Sequence, residues 1–170
     1  MNIGNFEFLQ AMRDQLGPMY GSEDLCVLLY SLVKREKPRV VVELGTGMGV
    51  STAWIAAAMA ENGGGTIYTV DNGGHFARSY EIGRVAALNG PLEVLSGCTT
   101  LPDFLAKTFE RSGGAAHVKC IEREIDLQDR RWLDEAIGGA QTTSRSIWCF
   151  PTLTTRCPPS LTYSPPSCRG

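Results

Sequence analysis

An acid and three glycines at alternate positions are the first candidates for chemistry in this chain. Glu43, Gly45, Gly47 and Gly49 lie at the end of, and directly after, an apolar β-branched run at residues 39–44. A strand that leads into a helix leaves free backbone N–H groups at the helix start, and glycines there remove the Cβ atoms that would keep a ligand away. In open α/β sheets, ligands bind at the carboxyl ends of the strands. The spacing therefore predicts a backbone cradle for a small ligand.

The spacing of the glycines separates two classes of nucleotide cofactor. A dinucleotide-binding fold uses Gly-x-Gly-x-x-Gly, which would require glycine at position 50, where this chain has Val50. Residues 41–52, Val-Val-Glu-Leu-Gly-Thr-Gly-Met-Gly-Val-Ser-Thr, instead resemble the first motif of class I S-adenosylmethionine-dependent methyltransferases. A glycine turn in some other α/β protein is the alternative. The order of strand, loop, helix and second strand ending in an acid favours the methyltransferase.

The resemblance implies a role for each residue of this loop. Gly45, Gly47 and Gly49 would line the methionine portion and the ribose of S-adenosylmethionine. Glu43 would help to orient the ammonium group through a hydrogen bond or a water molecule. Asp71 ends the second apolar run and would accept hydrogen bonds from both ribose hydroxyls, although an Asp at this point can also be a simple turn former.

Further polar residues follow the second and third predicted strands. By the same resemblance, Asn72 and Gly73 would touch the nucleoside. An acid after the third strand would lie near the adenine amino group, and Asp126 is the choice over Glu122 and Glu124. Each of these three acids could equally be a solvated surface carboxylate.

The cofactor-binding set that the resemblance implies is Glu43, Gly45, Thr46, Gly47, Gly49, Ser51, Asp71, Asn72 and Asp126. His75 could act as a base beside the cofactor, but a loop histidine is more often simply exposed. No catalytic residue is assigned, because alignment of a reactive cofactor with its acceptor needs no particular side chain.

The rest of the sequence predicts the elements that position this loop. Residues 1–38 form a helical segment, and residues 39–143 form a partial S-adenosylmethionine-binding α/β domain. The predicted strands are residues 39–44, 66–70 and 117–122. The predicted helices are residues 6–16, 22–37, 51–62, 76–88, 101–111 and 129–137. The fold class is α/β and Rossmann-like, truncated to the first three parallel strands of a class I methyltransferase with flanking helices.

The composition changes from about residue 144 onward. Residues 144–170 contain five of the nine prolines and three of the six cysteines, and neither a helical nor a strand period persists there. A disordered tail is one interpretation. In a shifted reading frame, however, permissible codons across residues 145–155 can give Phe-Asp-Leu-Val-Phe-Ser-Asp-Ala-His-His, which resembles the fourth strand of the family. We hypothesise that a frameshift replaced the natural second half, leaving the edge of the strand at 39–44 open to self-association.

Composition excludes several classes of function. The net charge is −2, with 16 Lys and Arg against 18 Asp and Glu. The sequence shows no basic patch, so we do not expect a nucleic-acid partner. Six cysteines without a Cys-x-x-Cys pair and two histidines predict no metal site. The N-terminal residues do not predict an export signal, and no apolar run is long enough to predict a membrane span, so we expect a cytoplasmic protein.

The resemblance implies methyl transfer from S-adenosylmethionine to a small-molecule acceptor, with a lean toward an oxygen acceptor. The acceptor wall would come from the replaced half, so we expect a marginal fold and little turnover from this chain. Two alternatives stay open. One is a non-catalytic remnant that binds adenosyl ligands, and the other is a nicotinamide-dinucleotide oxidoreductase, which Val50 disfavours.

Overall fold

A four-stranded parallel sheet with helices packed against it forms the framework of the chain. The computed structural model describes residues 3–20, 23–125, 131 and 147–151. The helices are α1 (Ile3–Gln15), α2 (Glu23–Glu36), α3 (Val50–Asn62), α4 (Ser79–Ala86) and α5 (Leu101–Arg111). The strands are β1 (Val40–Leu44), β2 (Thr66–Asp71), β3 (Val118–Glu122) and β4 (Ile147–Pro151). Short 3₁₀ turns lie at Gly17–Tyr20, Gly90–Leu95 and Ala115–His117.

The sheet has the strand order β3-β2-β1-β4, and every pair is parallel. Val42 in β1 aligns with Tyr68 in β2 and with Cys149 in β4. β1 is buried on both faces, as its unbroken apolar run predicted. The three predicted parallel strands and their flanking helices are therefore confirmed.

The fourth strand corrects the expectation about the tail. Residues 144–170 were expected to be irregular and to leave the edge of β1 open, but β4 pairs with β1 along its whole length. Ladder hydrogen bonds use the backbone, so any extended segment of β-prone residues can cover such an edge, and Ile-Trp-Cys-Phe is one. The expected open edge of β1 is thus wrong for the residues described, whereas the expected self-association stays a prediction.

Two of the predicted helices differ from the observed ones in extent, and the first, expected at residues 6–16, spans Ile3–Gln15. The helix expected at residues 76–88 is shorter, since α4 begins at Ser79, and Phe76 lies in the preceding turn with its ring buried. The helix expected at residues 129–137 falls outside the described residues, except for Arg131, which is helical. No helix among the described residues is long and apolar enough to cross a membrane.

Helix α3 is the centre of the core. Ten of its residues are buried, because it lies against α2, the sheet, α1 and α5 at once. Its Trp54 donates a hydrogen bond from Nε1 to the Leu9 carbonyl at 3.2 Å and packs edge-on against Tyr30. Gly49, directly before the helix, has φ +72°, and a Cβ there would lie 2.8 Å from Leu105 of α5. The absence of a side chain at Gly49 thus allows α5 to approach the start of α3.

A buried carboxylate ties the start of α3 to β1 and β2. Glu43 of β1 is 1% exposed, and its Oε1 accepts a hydrogen bond from Ser51 at 2.5 Å. Its Oε2 accepts from Thr52 and, at 2.6 Å, from Thr69 of β2. Thr46 lies 2.6 Å from the Thr69 hydroxyl. Because a hydroxyl carries one proton and Thr69 donates it to Glu43, Thr46 must donate to Thr69.

The hydrogen bonds to Glu43 predict that substitution of two buried threonines will change the free energy of unfolding unequally. Thr69→Val removes one donor to the buried Glu43 carboxylate and should lower the free energy of unfolding by about 1–3 kcal/mol. Thr108→Val is the matched control, because Thr108 is also fully buried and its hydroxyl has no hydrogen-bond partner within the described part of the chain. That variant should be neutral or slightly stabilising. Urea unfolding at neutral pH measures both, and an equal loss in the two variants would contradict the role assigned to Glu43.

Candidate functional site

The loop after β1 and the loop after β2 meet at the carboxyl edge of the sheet. Parallel neighbouring strands bring their ends to the same edge, which is where open α/β sheets bind ligands. The N–H of Gly45 donates to the Val70 carbonyl at 2.8 Å and fixes the start of the glycine loop against β2. Gly45 and Gly47 have φ values of +92° and +52°, which favour glycine. The N-terminus of α3 follows directly, so its dipole favours negative charge here.

Asp71 joins the two loops. Its Oδ2 accepts a hydrogen bond from the Gly47 N–H at 3.0 Å, and its Oδ1 accepts one from the Gly73 N–H at 2.8 Å. The His75 Nδ1 lies 3.5 Å from the same Oδ1. Burial alone would raise the pKa of Asp71, but the hydrogen bonds from His75, Gly47 and Gly73, with the charge of His75, together lower it to about 2. Asp71 is therefore an ionised acceptor between the loops.

Glu43 lies beneath the glycine loop. Burial raises its pKa, against the hydrogen bonds from Ser51, Thr52 and Thr69, which lower it, and the charge of Asp71 adds to the rise. Both of its oxygens already accept hydrogen bonds from the protein. This geometry gives Glu43 a structural role beneath the glycine loop, and the expected link to an ammonium group stays a prediction.

The predicted cofactor-binding residues divide into two layers. The inner layer is buried and contacts other parts of the protein; it consists of Glu43, Thr46, Gly49 and Ser51. A partly exposed or exposed layer consists of Gly45, Gly47, Asp71 and Asn72. The hydroxyls of Thr46 and Ser51 bond inside the protein and Gly49 makes room for α5, whereas contact of these residues with a cofactor stays a prediction. Asp126 lies outside the described residues.

Asn72 continues the loop after Asp71. Its Oδ1 accepts from the Gly74 N–H at 3.0 Å, which closes a tight turn, and its Nδ2 lies 3.5 Å from the Glu124 carboxylate. Glu122 and Glu124 are the two described candidates for the acid near the adenine amino group. Of these, Glu124 lies beside this loop. Glu122 is exposed at the end of β3.

Sequence reasoning missed Thr52 and Thr69 and gave His75 little weight. The position of Thr69 in β2 could have revealed it. Thr69 faces the same side of β2 as Ile67, and the Glu43 carboxylate buried on that side requires hydrogen-bond donors.

His75 is not simply exposed. Its side chain and that of Asp71 are each 17% exposed, and the next residue, Phe76, is anchored against Phe104 with ring centroids 5.8 Å apart.

The chain matches one protein family and is similar to a solved methyltransferase structure. Residues 42–144 match a family described as a methyltransferase domain. No curated protein matches the chain. Among solved structures, the chain is similar to the O-methyltransferase TomG from Streptomyces achromogenes, which is involved in tomaymycin synthesis and was solved in complex with SAM. The identity is 20% and the TM-score is 0.44, and the match covers 89% of this chain and 54% of that one.

The chain therefore spans about half the length of that structure. The family match covers more than half of the 170 residues and includes the glycine loop, β2 and Asp71. This chain belongs to the class I methyltransferase-domain family that its glycine loop resembles.

Proposed function

We propose that this chain binds S-adenosylmethionine at the carboxyl edge of β1 and β2 and belongs to an enzyme that methylates a small molecule. One observation carries the proposal: the Asp71 carboxylate is fastened to the N–H of Gly47 in the glycine loop. A partly buried, ionised acceptor and a loop in which every second residue is glycine are thereby brought together. These are the features that an adenosyl ligand with a ribose diol requires.

The residues present fit such a ligand. Asp71 can accept hydrogen bonds from ribose hydroxyls, because its low pKa keeps it ionised across the physiological range. Gly45 and Gly47 allow close approach to the backbone. Asn72 is exposed next to Asp71 and can contact the nucleoside. The sulfonium of the cofactor would supply the activated methyl group, and the protein would hold and align it.

The acceptor and the rate of turnover are finer parts of the proposal. The resemblance of residues 41–52 to the first motif of the family supports an oxygen acceptor. We expect turnover by this chain to be low, since the change in composition at residue 144 falls where the family resemblance places the acceptor wall. We also place the protein in the cytoplasm, which Cys98 and Cys120 support because both are thiols in the structure.

Gly47→Val tests the cofactor assignment. A side chain at this position should fill the cradle and force a left-handed residue out of its preferred conformation, so binding of S-adenosylhomocysteine should weaken at least about tenfold. Isothermal titration calorimetry of the wild-type chain and the variant measures the change. Reduced nicotinamide dinucleotide serves as the competing ligand and should not bind.

Gly63→Val is the matched control. Gly63 has a similar φ of +73° at the end of α3, and a Cβ there would meet nothing within 4 Å. Both variants should lose a similar stability of about 1–2 kcal/mol, but only Gly47→Val should lose binding. Unaltered binding in Gly47→Val, or tight binding of the dinucleotide alone, would overturn the assignment.

Asp71 also predicts how stability depends on pH. Its pKa falls from the ordinary value of 3.8 to about 2 in the folded chain, so the unfolded chain takes up this proton first as the pH falls. The contribution of Asp71 to the free energy of unfolding, at most about 2 kcal/mol, is complete above about pH 5 and is lost as the pH falls toward about 2. The difference between wild type and Asp71→Asn, measured by urea unfolding from pH 6 to pH 2, should therefore shrink. A difference that stays constant over this range would argue against the hydrogen bonds described.

A further inference from the structure

The acceptor positions of Asp71 are shared among several donors. Within the described residues, the Gly47 N–H lies on Oδ2, whereas the Gly73 N–H and the His75 Nδ1 both lie on Oδ1. A carboxylate has about four lone-pair sites, two on each oxygen. The two oxygens of Asp71 are therefore engaged unequally, and Oδ1 already has two donors.

A ribose diol bound to both oxygens needs one acceptor site on each. The backbone donors cannot leave without opening the turn at Gly73 and the glycine loop at Gly47. Oδ2 can accept one hydroxyl beside Gly47, but a hydroxyl on Oδ1 meets the imidazole of His75. At 3.5 Å, the contact of His75 is also the longest of the three, so it is the one most readily exchanged.

The neighbouring residues allow the imidazole to move while the loop stays in place. Phe76 is 3% exposed and packs on Phe104, which holds the chain directly after His75. Gly73 and Gly74 precede it, and their N–H groups are fixed by the side chains of Asp71 and Asn72. The backbone on both sides is thus anchored, and a rotation of the His75 side chain would vacate the position at Oδ1 while the loop stays in place.

We propose that His75 is an internal competitor for the ribose subsite, which sets the affinity and selectivity for adenosyl ligands that carry both hydroxyls. The inference rests on the proposed function. In the absence of a diol, the imidazole donates to Asp71 Oδ1, and a ribose hydroxyl takes this position when an adenosyl ligand binds. His75 therefore weakens binding of the ligand, although it stabilises the Asp71 carboxylate.

His75→Phe and His75→Gln separate this role from a structural one. Phe retains a ring without a donor, whereas Gln retains an N–H donor for Asp71. We expect His75→Phe to bind S-adenosylhomocysteine about threefold to fivefold more tightly than the wild type, and His75→Gln to bind close to the wild type. Calorimetry with the full chain at pH 8 measures these affinities.

Deoxy ligands provide the readout that a structural role would not change. The 2′-deoxy and 3′-deoxy forms of S-adenosylhomocysteine each lack one hydroxyl. The gain in His75→Phe should vanish for the form that lacks the hydroxyl facing Oδ1 and should persist for the other. Weaker binding of S-adenosylhomocysteine by His75→Phe, or an equal gain for all three ligands, would overturn the proposal.

A measurement without ligand distinguishes failure of this inference from failure of the proposed function. His75→Phe should raise the pKa of Asp71, followed by NMR of its carboxyl carbon, because a donor and a charge that lower it are removed. An unchanged pKa would exclude the contact, and the competitor with it. If the wild-type chain fails to bind S-adenosylhomocysteine while the Asp71 pKa responds as expected, the proposed function is wrong and the competition falls with it.

Discussion

Burial of the Glu43 carboxylate is the constraint on which the site depends. A carboxylate that is 1% exposed loses its hydration, and the chain must replace it with donors of its own. The donors are hydroxyls at the start of α3 and in β2, so the carboxylate can be satisfied only when β1, β2 and α3 have the observed register. The glycine loop spans the short distance between β1 and α3. Its two ends are thereby fixed before any ligand is considered.

The two acids of the site have opposite environments, which separates their roles. Burial raises the pKa of Glu43, whereas donors from two loops lower that of Asp71 to about 2. Glu43 uses its acceptor capacity inside the protein, and Asp71 lies at the accessible edge with its charge intact. Pairs of carboxyl groups whose pKa values are pushed apart by their surroundings commonly carry different functions. Here the division is between Glu43, which supports the loop, and Asp71, which we propose binds the ribose.

The parts of this arrangement that follow local rules could be predicted from the sequence. Unbroken β-branched runs predicted β1 and β2, and the spacing around Gly45 and Val50 predicted the class of ligand. Other parts depend on contacts between distant segments. The use of Gly49 follows from the approach of Leu105, 56 positions along the chain, and the hydroxyl of Thr69 matters only once β2 lies beside Glu43. β4 could not be predicted either, because edge pairing is made by backbone groups that every residue possesses.

The glycines of the loop therefore serve different purposes, although they share one pattern. Gly49 is buried and permits helix packing, whereas Gly47 is partly exposed and donates its N–H to Asp71. A substitution at Gly49 would act first on the core, and one at Gly47 would act first on the cradle. The same distinction holds for the polar residues, since Ser51 and Thr46 satisfy buried partners while Asn72 lies at the surface. A sequence motif of this kind thus records the requirements of a fold together with those of a ligand, and only the packing around each residue separates the two.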